Sequence, residues 1–326
     1  MMMKTMEINF PVFVNAFSDE GKRDEIKGAV IGVLAVCIST YNFSLDRLEA
    51  VTVVDQYDKA LAEFDHGFSG QPPLGRTTGA SEGVGQTPVV LRNGSLRCHM
   101  FLASSITVPL LAPENPYYRY AAYTITHEAA HAHDLGVRAQ TLESQIISPT
   151  PVPNEPGILS QMAHLCWDEY AACRLSGASY PDMVGPIEEN LSIALKAFPT
   201  AADQMRTVFA QSDHLQSAYH AAYNSAVEAC YPVLKHLSYL AGHLVGTGQA
   251  LELSAPTAKR LLEETGFMFV FQELTAVCGE MWTSYGSWPD LDVFVELKKV
   301  VGEAILLAGI EFFHLPDGKL KFRVVP

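Results

Sequence analysis

The chain has no CxxC pair, no cluster of lysines and arginines, and no long unbroken apolar run. Each absence removes a class of function. Lys and Arg number 22 against 36 Asp and Glu, a formal net charge of −14. Phosphate neutralisation needs a concentrated basic face, so a nucleic-acid partner is not expected. The longest apolar stretch, Ala29–Ile38, is interrupted by Gly32 and falls well short of the ~20 residues that span a bilayer. It reads as a buried helix, and no membrane partner is expected. The opening MMMKTMEINFPVF lacks the apolar core of a signal peptide. Six cysteines are scattered at 37, 98, 166, 173, 230 and 278. Cys166 and Cys173 share a helical face but stand two turns apart, about 10 Å, which is too far for a disulfide. Reduced, buried thiols in a cytoplasmic protein are the expectation.

What is present is the composition of a folded protein. Hydrophobic residues make up 48% and charged residues 18% of 326 positions, enough for one large domain or two modest ones. Residues 19–38 open acidic and turn apolar, as a helix with a charged first turn does. Leu48–Val54 is β-branched and reads as a strand, and Asp55–Phe64 has helical spacing. Residues 67–86, rich in Gly, Pro and Ser, read as a long surface loop of the kind that serves as a lid. Thr87–Leu91 and Leu96–Ala103 flank Asn93-Gly94, the signature of a hairpin with a type I′ turn. A helix is predicted from about Tyr117 to Leu135, ended by Gly136. After the proline-rich loop Ser148–Gly157, another helix is predicted from about Ile158 to Leu175.

The segment 176–186 is the expected domain boundary, dividing residues 1–180 from 181–326. The second part reads as helical over 186–198, 200–245 with a break near Pro232, 255–262, 271–281 and 290–308. A final hairpin is expected around Asp317-Gly318. The fold class is therefore α+β, with a mainly α-helical C-terminal domain.

The chemistry concentrates in His127-Glu128-Ala129-Ala130-His131. On a helix, positions i and i+4 stack on one face, so the two imidazoles are presented to one point. Zinc accepts such nitrogens at about 2.0–2.1 Å. Glu128 projects beside them, where a carboxylate can take a proton from a zinc-activated water. A catalytic zinc needs a third protein ligand and an open position. His133 lies about 200° around the helix from His131 and faces elsewhere; it and Asp134 read as solvent-facing groups or as groups that support the ligands from outside. The next helix offers Glu169, among Leu165, Cys166, Ala172 and Cys173, and Asp168, stacked over His164. Helical geometry leaves both open.

HExxH followed by a glutamate within Glu169-Tyr-Ala-Ala-Cys-Arg174 resembles the gluzincin branch of the zincin metallopeptidases. The preceding order of backing helix, strands, hairpin and motif helix is similar too, and the nearest likeness is to the ImmA/IrrE-like minimal metallopeptidases. The resemblance covers roughly residues 19–177. It implies a zincin-like domain in which a small mixed sheet ends in an edge strand, here Leu96–Ala103, that binds peptide by strand addition. It also implies a Zn²⁺ cofactor, the metal ligands His127, His131 and Glu169, Glu128 as general base, and a peptide or protein substrate. Cys173 stands where thermolysin-like enzymes carry an acid four residues on, and Val137 where metzincins carry a third histidine.

Oxyanion donors in such enzymes are tyrosine, histidine or arginine. Tyr117, Tyr118, His220 and Tyr223 are the candidates, each with the plainer reading of a packed ring. His236 and His243, two turns apart without a carboxylate in register, read as structural. Two other functions compete with a peptidase. One is a non-catalytic or regulatory binding module with a zincin fold. The other is a structural zinc site closed by Asp168 or His133.

Overall fold

A computed structural model describes residues 8–69, 73–76, 83–147, 157–211, 215–314 and 320–325. The chain forms two compact units, one of Met1–Ser148 with Ala178–Tyr180, the other of Pro149–Gly177 with Pro181–Pro326.

The first unit is built on a mixed sheet. Strand β1 (Val12–Val14) leads into helix α1 (Glu20–Thr40), which returns the chain to β2 (Leu48–Val54) beside and parallel to β1. Asp19 caps α1 by accepting from the Lys22 backbone N–H at 2.8 Å. Ile26, Val30, Leu34 and Cys37 recur at the helical period and form its buried stripe. Helix α2 (Tyr57–Ala62) follows, then β3 (Gly85–Gln86), β4 (Val89–Arg92) and β5 (Ser95–Ala103). Strand β5 runs parallel to β2. Asn93 and Gly94 take φ of 51° and 79°, the two positive angles that a type I′ turn requires, and fold β4 back antiparallel on β5.

The edge expected at Leu96–Ala103 is not there. Strand β5 is interior, with β2 on one side and β4 and β3 on the other. The residues before the hairpin keep running along β5, with the Ala103 N–H donating to Val84 O and the His99 N–H to Pro88 O. Thus the final residues of the presumed 67–86 loop are strand, and the sheet edge beyond β5 falls at β3 and β4. Residues 70–72 and 77–82 of that loop lie outside the described residues.

After a short helix α3 (Ser104–Thr107) and a 3₁₀ turn (Val108–Leu111), helix α4 (Tyr118–Ile147) carries HExxH. It packs on β5 and α1. Gly136 does not end it. The following residues are good helix formers, and Glu143 ties the later turns to the sheet by accepting from the Leu96 N–H at 2.8 Å and from Arg47.

The second unit is helical. Helix α5 (Gly157–Gly177) packs along α7 (Leu215–Thr247), and α7 along α6 (Val184–Gln211). Gly242 and Gly246, one turn apart on α7, lie against the backbones of Tyr170 and Arg174, one turn apart on α5. A Cβ at either glycine would collide with a main-chain carbonyl, so this close approach depends on both. Trp167 on α5 is fully buried in a ring cluster with Trp282, Tyr285 and Trp288. Pro232 sits inside α7 without the break expected there. Ala229, Cys230, Val233, Leu234 and Leu237 are all buried around it, and this packing outweighs the lost N–H and the ring clash.

Three short-to-medium helices follow, α8 (Leu251–Ser254), α9 (Pro256–Thr265) and α10 (Met268–Thr283), and then α11 (Val295–Leu307). Strands β6 (Ile310–His314) and β7 (Leu320–Val324) form the terminal antiparallel pair; Asp317-Gly318 itself lies outside the described residues. No helix among the described residues is long and apolar enough to cross a membrane.

Candidate metal centre

Helix α4 is buried over a wide arc, packing on both the sheet and α1. Ala121, Ala122, Ile125, Ala129, Ala130 and Ala132 are small or apolar and nearly inaccessible. Into this setting the chain places two imidazoles and a carboxylate, with His127 at 7% exposure and Glu128 at 6%. Burying such groups is costly without partners, so their arrangement is informative. The His127 and His131 rings stand at 88° to one another with Nε2 atoms 3.1 Å apart. Two ligands held about 2.0–2.1 Å from a tetrahedral zinc lie about 3.3 Å apart, so the spacing suits a shared ion.

A carboxylate completes the set. One ligand atom each of His127, His131 and Glu169 lies within 4.8 Å of the others, a group that can hold a metal ion. It includes Glu169 and not its neighbour Asp168, which is half-buried. Two imidazole nitrogens and one carboxylate oxygen are the donor types of catalytic zinc sites. Within the helical unit, Lys235 on α7 reaches the same glutamate, with Nζ 3.3 Å from Glu169 Oε1.

Glu128 is held from the sheet side. Thr87 Oγ1 donates to Glu128 Oε2 at 2.8 Å and lies 3.2 Å from the Glu128 carbonyl. Gly85 lies against the same side chain. Tyr57 is buried nearby, and burial followed by the negative charge of Glu128 pushes its phenol pKa up.

The other residues singled out from sequence fall elsewhere. His133 stacks on Phe43, with centroids 5.2 Å apart, and its Nδ1 accepts the Ser44 N–H at 2.9 Å. Burial lowers its pKa. Asp134 is fully buried and pairs with Arg138 one turn on, at 2.7 Å. Tyr117 is 66% exposed. Tyr118 lines a cavity with Tyr41 and Tyr180. Tyr223 packs against Phe312 and Phe322. The His220 side chain lies outside the described residues. His236 is buried edge-on to Tyr239, and burial pulls its pKa down to about 4. His243 Nε2 lies 3.1 Å from the Pro181 carbonyl.

No family model matches the chain, and neither does any curated protein or solved structure. What the structure shows is in the residues themselves: HExxH on one helix, a glutamate on the next, and three donors that could hold a metal ion. Sequence reasoning missed Gly85, Thr87 and Lys235. Gly85 sat near the end of a glycine-rich stretch with no periodicity to mark it, Thr87 began a predicted strand with nothing local to aim it at Glu128, and Lys235 was one cation in a long apolar helix.

Proposed function

We propose that the protein is a zinc-dependent metallopeptidase of the gluzincin type. The reading rests above all on the convergence of His127, His131 and Glu169, with Glu128 next to His127 in the motif. His127, His131 and Glu169 would hold the ion. When bound, zinc supplies a water acidified towards pKa ~7 and a Lewis acid for the scissile carbonyl.

Glu128 takes the proton of the attacking water and passes it to the leaving amine, a base and then an acid in one turnover. A peptide or protein is the substrate class this chemistry serves. A reducing, cytoplasmic setting is supported by six cysteines that are all buried and form no disulfide. The likeness to the ImmA/IrrE-like enzymes is supported by the order of motifs alone.

The test separates metal from catalysis. Wild-type protein and Glu128→Gln are compared for zinc content and for cleavage of a trypsin-generated peptide library read by mass spectrometry. Equal zinc with cleavage lost by at least about 10²-fold is expected. Zinc in both proteins with cleavage by neither would favour a non-catalytic zincin-fold module.

A further inference from the structure

We infer that Gly85 and Thr87 form a seat for the general base, in which Thr87 fixes one carboxylate oxygen of Glu128 and Gly85 leaves room beside the other. The inference rests on the reading of Glu128 as the base. Thr87 has one hydroxyl proton and two acceptors in reach, Glu128 Oε2 at 2.8 Å and the Glu128 carbonyl at 3.2 Å. The carboxylate oxygen is the nearer acceptor and takes it.

Gly85 stands two residues earlier in extended chain, on the same side. A Cβ there would come 2.9 Å from Glu128 Cγ, 3.1 Å from Oε1 and 3.2 Å from Thr124 Cγ2. Real side chains essentially never pack as closely as the first of these distances, so any larger residue forces the Glu128 side chain or the strand against it to shift. One residue therefore occupies Oε2 and the other keeps Oε1 clear.

The seat is fastened to the sheet rather than hung from a loop. Gly85 and Gln86 pair with Leu102 and Phe101, and the flanking Val84 and Pro88 carbonyls accept from Ala103 and His99 at 2.8 and 3.1 Å. A glutamate has three side-chain torsions, and a base that must meet a water and then an amine gains from having them set in advance. In the reaction the proton moves from water to Oε1 and from Oε1 to the leaving nitrogen. The Thr87 proton stays on Oγ1 throughout. Thr87 is thus a positioning residue, acting through Glu128.

The test uses the full-length zinc-loaded protein, with kinetics on the fastest-cleaved member of the peptide library. Thr87→Val lowers kcat about 10- to 100-fold with KM little changed and zinc content equal. Thr87→Ser, which keeps the donor, restores most of kcat, and Gly85→Ala lowers kcat with zinc retained. A readout apart from activity is the melting temperature: Thr87→Val lowers it more in the wild type than in Glu128→Ala, where the carboxylate is already gone.

Wild type that cleaves while Thr87→Val keeps its kcat would overturn the seat. So would a Thr87→Ser protein as slow as Thr87→Val, or equal melting losses in both backgrounds. Wild type that binds no zinc or cleaves nothing removes the metallopeptidase reading, and the inference with it.

Discussion

Glu143 makes a quantitative test of why the motif helix continues past Gly136. Its carboxylate accepts from Arg47 Nη1 at 2.7 Å, Arg47 Nη2 at 3.1 Å and the Leu96 N–H at 2.8 Å. Arg47 in turn donates to Leu96 O at 3.0 Å, so one ion pair joins the last turns of α4 to the start of β5. A hydrogen bond to a charged group contributes about 1.5–3 kcal/mol when buried, and an exposed ion pair about 0.2–1 kcal/mol. The Arg47 and Glu143 side chains are 26% and 29% exposed, between those limits. Solvent screening therefore leaves about 1–2 kcal/mol for Glu143→Ala, less for Glu143→Gln, which keeps an acceptor for Leu96.

The pH dependence of this clamp has a definite sign. Hydrogen bonding to Arg47 is the main cause holding the Glu143 pKa below the ordinary carboxylate value. Its contribution is fully present above the unfolded pKa of about 4.3 and is lost as pH falls through the depressed folded value. Urea denaturation at pH 7 and at successively lower pH measures both effects. Glu143→Gln should unfold at lower urea at pH 7, and the gap from wild type should close in strong acid. A gap that is absent at pH 7, or that widens as pH falls below 4, would refute the clamp.

Two glycines are expected to respond in opposite directions. At Gly136, inside α4, an added Cβ meets only Arg47 Cγ at 3.7 Å, an ordinary contact. Gly136→Ala should therefore stabilise by about 0.5–1 kcal/mol, read as a raised urea midpoint. At Gly242, an added Cβ would run into the Tyr170 carbonyl. Gly242→Ala should destabilise the helical unit by about 1–3 kcal/mol and speed amide exchange in α5 and α7. An unchanged midpoint and exchange pattern would show that α5 and α7 do not need the close approach.

Much of this architecture could be read from local chemistry. The Asn93-Gly94 hairpin was legible because a type I′ turn needs two positive φ angles and few residue pairs supply them cheaply. The two histidines were legible because helical stacking follows from spacing alone. What failed depended on residues distant in sequence. Gly136 looked like a helix end, since nothing local announces that Glu143 will meet Arg47. Pro232 looked like a break, since the burial that holds α7 together comes from packing.

Strand β5 was expected at an edge on the zincin resemblance alone, but β4 and residues 84–86, which end a glycine-rich stretch without a strand pattern, pair along it. Helix α5 follows the motif helix in sequence, but its contacts group it with α7 through Gly242 and Gly246, whose role appears only when the facing carbonyls are known. Between Glu169 and Asp168, helical geometry gave no choice. Only Glu169 has an oxygen in the group with both imidazoles.

On the proposed function, His127, His131 and Glu169 hold one zinc ion. Anomalous diffraction collected on both sides of the zinc edge, from crystals of protein purified without added chelator, tests it most directly. A single strong peak is expected about 2.0–2.2 Å from one nitrogen of each histidine and a Glu169 oxygen, with no fourth protein ligand. No peak at the HExxH histidines, or a peak there bound by Asp168 or His133 in place of Glu169, would contradict it.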